Sequence, residues 1–213
     1  MIPPILGNDI VDLCHRDAYQ FHPRFSERIC TPFELEYLKN NTPSPALWQK
    51  KLWMLWSAKE AAYKAIKQVD SNIQARWKSF EVLPEKKEII CFGKLVLKLI
   101  ILDDSQNPQK QAIEFIHTFA YSSTIPLEQI HNGISMFKSK NKEHESQEIR
   151  LLIAPHLLRV WGIEEKDIKT SKWEKDVSGA PLFYVNGHLF PGCISLSHHG
   201  RFMAYAFYLK DTY

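Results

Sequence analysis

An aspartate stands inside an apolar, strand-like run, Ile5-Leu6-Gly7-Asn8-Asp9-Ile10-Val11-Asp12-Leu13. A carboxylate there must be solvated, hydrogen-bonded or bound to a cation. Gly7, two residues earlier, lets a backbone or ligand approach closely. Further along, Trp56-Ser57-Ala58-Lys59-Glu60-Ala61-Ala62-Tyr63-Lys64 places Trp56, Glu60 and Lys64 on one stripe of a helix. A hard cation such as Mg²⁺ takes one or two carboxylates and fills its shell with water and substrate phosphate. Asp9 and Glu60 are the candidate metal ligands, and Lys64, one turn on, could reach phosphate oxygens. These three are the candidate catalytic residues.

Plainer readings stand beside this one. Asp is a common turn residue, and Glu before Lys at i,i+4 is an ordinary surface ion pair. The helix around Glu60 is nevertheless rich in Trp53, Met54, Leu55, Trp56, Ala58, Ala61, Ala62, Ala65 and Ile66, and charges on a buried helix usually have a specific partner. Asp12 lies three residues after Asp9, so in a strand it points to the opposite face. A third segment, Cys193-Ile194-Ser195-Leu196-Ser197-His198-His199-Gly200, ends a strand with hydroxyls and an imidazole. Such groups donate hydrogen bonds to phosphates, so Ser195, Ser197 and His198 join Lys64 as candidate cofactor-binding residues. The same pattern also suits a polar strand end before a turn at His199-Gly200. Gly-x-Ser-x-Gly, Walker A and dinucleotide-binding glycine patterns are absent.

The elements that must position these residues alternate between helix and strand. Residues 4–13 read as a strand entering a loop. Phe21, Phe25 and Ile29 have helical spacing over 20–30. Thr31-Pro32-Phe33-Glu34 has the form of a capping box that opens a helix. A long stretch without Gly or Pro begins at Ala46 and predicts a strong helix at about 46–68. Lys94 to Leu102 and Ala112 to Tyr121 read as strands around a turn at 103–108. Ser, Asn, Lys and Glu crowd residues 122–146, which read as an exposed connection. Ile149, Leu152, Ile153, Leu157 and Val160 then mark an amphipathic helix that Gly162 ends. Strands are expected at 166–171, 182–185 and 201–208. The expected organisation is a first α+β lobe over 1–125, a linker over 126–145 and a second α+β lobe over 146–213, with the site in the crevice between them.

The 213 residues are 45% hydrophobic and 24% charged, enough apolar material for a sizeable core. A net charge of +3 does not point to nucleic acid, but it suits an acidic protein partner. Four scattered cysteines without a C-x-x-C pair speak for a reducing compartment, with the cytoplasm the expected location. The N-terminus lacks the marks of a signal peptide, and no apolar run is long enough for a membrane span.

Together the three segments resemble the 4'-phosphopantetheinyl transferase family. Its G-x-D segment is similar to Gly7-Asn8-Asp9, and its W/F-S/A-x-K-E-A/S-x-x-K segment to Trp56 through Lys64. Small members, the holo-acyl-carrier-protein synthases, also carry R-F-x-x-R-x-x-T-x-x-E, matched by Arg24 through Glu34. Larger members carry E-V/I-R-x-L-L, G-K/R-P and S-x-S-H. These resemble Glu148 to Leu152, Gly179-Ala180-Pro181 and Ser195 to His198, with the two halves in swapped order. Ala180 stands at the usual basic position, and Val11 where larger members place a further acid. Ala65-Ile66-Lys67-Gln68 replaces the glycine-rich turn of small members.

The resemblance implies two similar α+β lobes, a pseudo-dimer of the transferase fold, acting as a monomer with one site. It implies Mg²⁺- or Mn²⁺-dependent transfer of 4'-phosphopantetheine from coenzyme A to a serine of an acyl or peptidyl carrier protein, releasing adenosine 3',5'-bisphosphate. Arg24 and Arg28 lie on the segment that would meet the acidic carrier. A degenerate member that binds coenzyme A or a carrier without chemistry is the alternative.

Overall fold

A computed structural model describes residues 3–19, 22, 24–103, 114–138 and 142–210. The first strand, β1 (Leu6–Asp12), is buried along its whole length. Short helices α1 (Arg16–Tyr19) and α2 (Phe25–Ile29) lead to α3 (Pro32–Asn41) and the long α4 (Pro45–Lys67). Four strands follow: β2 (Phe80–Leu83), β3 (Glu88–Cys91), β4 (Leu95–Asp103) and β5 (Phe115–Tyr121). They form an antiparallel five-stranded sheet with β1, in the order β1-β5-β4-β3-β2.

The helix starts obey local chemistry. The Thr31 hydroxyl accepts from the Glu34 N–H while Glu34 accepts from the Thr31 N–H, the expected capping box. Ser44 caps α4, with Pro45 at its first position. Helix α4 lays Leu55, Ala58, Ala61, Ala62 and Ala65 on the sheet, against Leu97, Leu99 and Ala120. The close approach depends on Gly7, where a Cβ would lie 2.0 Å from the Ala61 carbonyl oxygen and 2.5 Å from the Ala65 nitrogen.

The second sheet has the order β10-β11-β6, with β6 at Ile130–Met136, β10 at Gly192–His199 and β11 at Phe202–Leu209. Helix α5 (Lys142–Trp161) packs Ile153, Leu157 and Leu158 against Tyr205 and Phe207. Strands β7 (Lys172–Lys175), β8 (Pro181–Val185) and β9 (His188–Leu189) make a small third sheet. Among the described residues no helix is long and apolar enough to cross a membrane.

Strand β1 serves both large sheets. Gly7 and Val11 face α4 and its neighbours, while Leu6 packs with Ala206 and Tyr208, and Ile10 with Phe202 and Ala204. Alternation along one strand therefore welds the two sheets together.

Four expectations change. The connection expected at 126–145 contains a strand, β6, and the first turn of α5. Its His131-Asn132-Gly133 stretch lacks an apolar alternation because β6 is an edge strand, held by pairing with β11. The strand expected at 166–171 is a 3-10 helix at Glu165–Thr170, and β7 begins after it. The hairpin of β2 and β3 was not expected. Helix α2 covers only the end of the expected 20–30 segment, and Phe21 lies outside the described residues, as do 104–113.

Candidate active site

Asp9 and Lys64 meet across the β1–α4 contact. The Lys64 Nζ donates to Asp9 Oδ1 at 2.8 Å and to the Asn8 carbonyl oxygen at 3.1 Å. Lys64 thus pairs with the strand rather than with Glu60 on its own helix. The Asp9 carbonyl in turn accepts from the Ser57 hydroxyl at 3.4 Å. Glu60 sits close enough to both charges to feel them. Burial pushes its carboxyl up to about 7, the neighbouring Asp9 charge adds to the rise, and Lys64 opposes it. Among the described residues no hydrogen bond or ion pair engages the Glu60 carboxylate.

Such a carboxylate lacks a cation. A half-buried acid without donors, beside a second acid, is the oxygen-rich donor set that Mg²⁺ or Mn²⁺ accepts, with the remaining positions left to water and phosphate. Asp9 and Glu60 would hold the ion. Val11 offers no third carboxylate, being buried with Ala18, Trp53 and Ile116.

Glu60 and Lys64 line a crevice of about 270 Å³, and Asp9 reaches it only through its ion pair with Lys64. One wall is α4, with Glu60, Tyr63, Lys64 and Lys67. The other comes from Ser178–Pro181 and from Ile194, Ser195 and Leu196 of β10. Gln68, which ends α4, closes the base by donating to the Leu6 carbonyl at 2.7 Å and the Ile194 carbonyl at 3.3 Å. A larger cavity of about 530 Å³, lined by Tyr37, Met54, Leu99 and Leu102 among others, lies away from these acids.

The serines expected to meet phosphate are engaged elsewhere. The Ser195 hydroxyl accepts from the Asn8 N–H at 2.8 Å, and the Ser197 hydroxyl accepts from the Asn8 amide at 2.9 Å. Both are buried where β10 crosses β1. Ser195 still borders the crevice, whereas Ser197 and His198 are not among its lining residues. His198 is half exposed, its Nδ1 3.2 Å from the Glu145 carboxylate. Arg24 and Arg28 are exposed at the start and in the body of α2.

Several residues that hold the site together escaped the sequence reading. Asn8 also contacts His117 Nε2 at 3.1 Å. Burial, helped by the Lys64 charge, pushes His117 down to about 3, so it is neutral. Lys59 is fully buried, its Nζ paired with the Glu34 carboxylate at 2.7 Å and donating to the carbonyls of Ile29, Trp77 and Phe80 at 2.8, 3.0 and 2.5 Å. Glu34 spends its other oxygen on the Val82 N–H at 2.7 Å. The Lys and Glu of the two motifs therefore form one structural knot under α4, away from the crevice. A Glu and a Lys at fixed places in two helix-forming segments were the only available hint.

Asp12, on the opposite face of β1, clamps the second sheet. It accepts from Arg201 Nε, Nη2 and backbone N–H, each at 2.9 Å, and from the Cys14 N–H at 2.9 Å. Burial alone would raise its carboxyl, but these bonds outweigh it and hold the group below its ordinary value. Gly200 makes the tight turn beneath, with φ +56° and no room for a Cβ beside Asp12.

His15, Asp17 and His199 also cluster. The Asp12 N–H donates to His199 Nδ1 at 3.0 Å, so the proton of the neutral ring sits on Nε2 and that nitrogen is no ready metal ligand.

The family model for the 4'-phosphopantetheinyl transferase superfamily matches residues 5–119. That span carries β1 with Asp9 and α4 with Glu60 and Lys64. The chain belongs to the 4'-phosphopantetheinyl transferase superfamily. No curated protein and no solved structure matches it. Members of this superfamily take coenzyme A as donor and a carrier protein as acceptor.

Proposed function

We propose that this protein transfers 4'-phosphopantetheine from coenzyme A to a serine of an acyl or peptidyl carrier protein, with Mg²⁺ or Mn²⁺, and releases adenosine 3',5'-bisphosphate. The observation that carries this reading is the meeting of Asp9, Glu60 and Lys64 beside a crevice that Glu60 and Lys64 line, within the span matched by the family.

A divalent ion held by Asp9 and Glu60 would neutralise charge on the diphosphate. Lys64, already aimed at Asp9 Oδ1, supplies a second positive charge to the departing phosphate. The carrier serine oxygen forms a bond to the phosphorus next to the pantetheine arm. The bridging P–O bond breaks, and its electron pair leaves with the adenosine bisphosphate. Glu60, or a water held by the ion, would take the serine proton.

The two large sheets support a repeat. Strand–helix–strand order and sheet order run alike in β1-β5-β4 with α4 and in β6-β11-β10 with α5. A monomer with one site between repeats follows from that reading, and the free cysteines suit the cytoplasm. Arg24 and Arg28 are the basic side chains proposed to meet the acidic carrier. Ser195 remains a contact for bound substrate, and His198 serves substrate only after leaving Glu145.

The test is to mix protein, Mg²⁺, coenzyme A and an apo carrier, and to weigh the carrier. Gain of one phosphopantetheine arm is expected. Carrier binding without mass gain, across fatty acid, polyketide and peptidyl carriers, would overturn catalysis in favour of the binding-only alternative, to which Val11 and Ala180 lend weight.

A further inference from the structure

We infer that Lys67 binds a phosphate group of the nucleotide half of the donor in the crevice. This rests on the transferase reading and deepens it.

Two basic side chains line the crevice, Lys64 and Lys67. Lys64 is committed to Asp9 and the Asn8 carbonyl. Lys67, one turn further along α4, is half-buried, and among the described residues it has no carboxylate partner. Its Nζ lies 5.7 Å from the ring centroid of Tyr63, another lining residue. The ring face steadies the ammonium without neutralising it.

The facing wall cannot supply the missing charge. Ala180 carries no cation there. The backbone N–H groups of Ser178 and Ala180 both donate to Asp176 Oδ1 at 2.8 Å, and the Gly179 N–H donates to the Asp176 carbonyl at 3.0 Å. The Ser178 hydroxyl also donates to Asp176 Oδ1, at 2.6 Å. Every amide from Ser178 to Ala180 is therefore spent inside the loop, and none is left to cradle an anion. A phosphate seated between the walls must draw its charge from α4, and Lys67 is the lysine still free to give it.

Coenzyme A carries such phosphate chemistry twice, in its diphosphate and in its 3'-phosphate monoester. Lys67→Met keeps the stem beside Tyr63 and removes the charge, and Lys67→Arg restores it. Titration of adenosine 3',5'-bisphosphate by calorimetry should show about tenfold weaker binding to Lys67→Met, as expected for loss of one charge-assisted hydrogen bond, with recovery in Lys67→Arg. In transfer assays KM for the donor should rise by a similar factor with little change in kcat. A rise for both coenzyme A and its 3'-dephospho form assigns Lys67 to the diphosphate, and a rise for coenzyme A alone assigns it to the 3'-phosphate. Equal bisphosphate affinity of wild type and Lys67→Met, with matching melting temperatures, would overturn the inference. If no carrier is modified by the wild type, the transferase reading fails by itself, while the calorimetric comparison still judges Lys67.

Discussion

Replacing Glu60 by Gln should make the metal-free protein more stable while removing its activity. Burial and the neighbouring Asp9 raise the Glu60 carboxyl from 4.5 to about 7 in the fold. Between these values the folded chain holds a proton that the unfolded chain has already lost. Stability therefore falls as pH rises through this window, and the loss is complete above it. The difference corresponds to about 3 kcal/mol at pH 8. Glutamine has nearly the same shape and no charge, so it removes that penalty. Urea unfolding in the presence of a chelator should show Glu60→Gln about 3 kcal/mol more stable than wild type at pH 8, with the gap closing towards pH 4.5. In melting temperature this is roughly 6–12 °C for a chain of this size. Added Mg²⁺ should stabilise the wild type at pH 8 and leave the variant unmoved, because the variant lacks one of the two carboxylates proposed to hold the ion. Transfer to a matched carrier should fall about a hundredfold or more. Equal stability of the two proteins at pH 8 without metal would refute the reasoning, since Glu60 would then carry no buried, uncompensated charge.

Other perturbations reach the scaffold beneath the site. Lys59→Met strands the buried Glu34 carboxylate and should cost about 3–5 kcal/mol in urea unfolding; a change under about 1 kcal/mol would contradict the knot described here. Gly7→Ala drives a Cβ into the Ala61 carbonyl and should cost about 1–3 kcal/mol, with weaker Mg²⁺ binding by calorimetry as α4 moves off β1. The Asp12 carboxyl is held below its ordinary value of 3.8, so its clamp on Arg201 is fully present above that pH and is lost as pH falls through the lowered value. Arg201→Ala should accordingly bring acid unfolding to a higher pH, followed by circular dichroism, and an unchanged acid midpoint would remove the clamp from the account.

Local chemistry in the chain was legible where one segment suffices. The capping box at Thr31 and Glu34, the long helix ending at Lys67 and the final strand all follow from spacing and caps that act within a few residues. Helical periodicity put Glu60 and Lys64 on one stripe, and strand alternation turned Asp12 away from Asp9. Legibility ended where partners come from distant segments. Strand β6 has an apolar alternation broken by Asn132 between Ile130 and Ile134, and β11 supplies its bonds. The Ser-x-Ser-His segment offers the same hydroxyls whether they meet phosphate or Asn8, and only the crossing of β10 over β1 turns Ser195 and Ser197 to Asn8.

The amino-acid order by itself determined which side chains share a face: Gly7, Asp9 and Val11 on one side of a strand, and Glu60 and Lys64 along one helix. Tertiary packing alone decided their partners. It gave Lys64 to Asp9, buried Lys59 with Glu34, left Glu60 without a cation and left Lys67 facing a wall whose amides are spent. The reason is range: periodicity follows from bonded geometry over a few residues, whereas the charge felt by a carboxylate depends on every chain segment that excludes water around it.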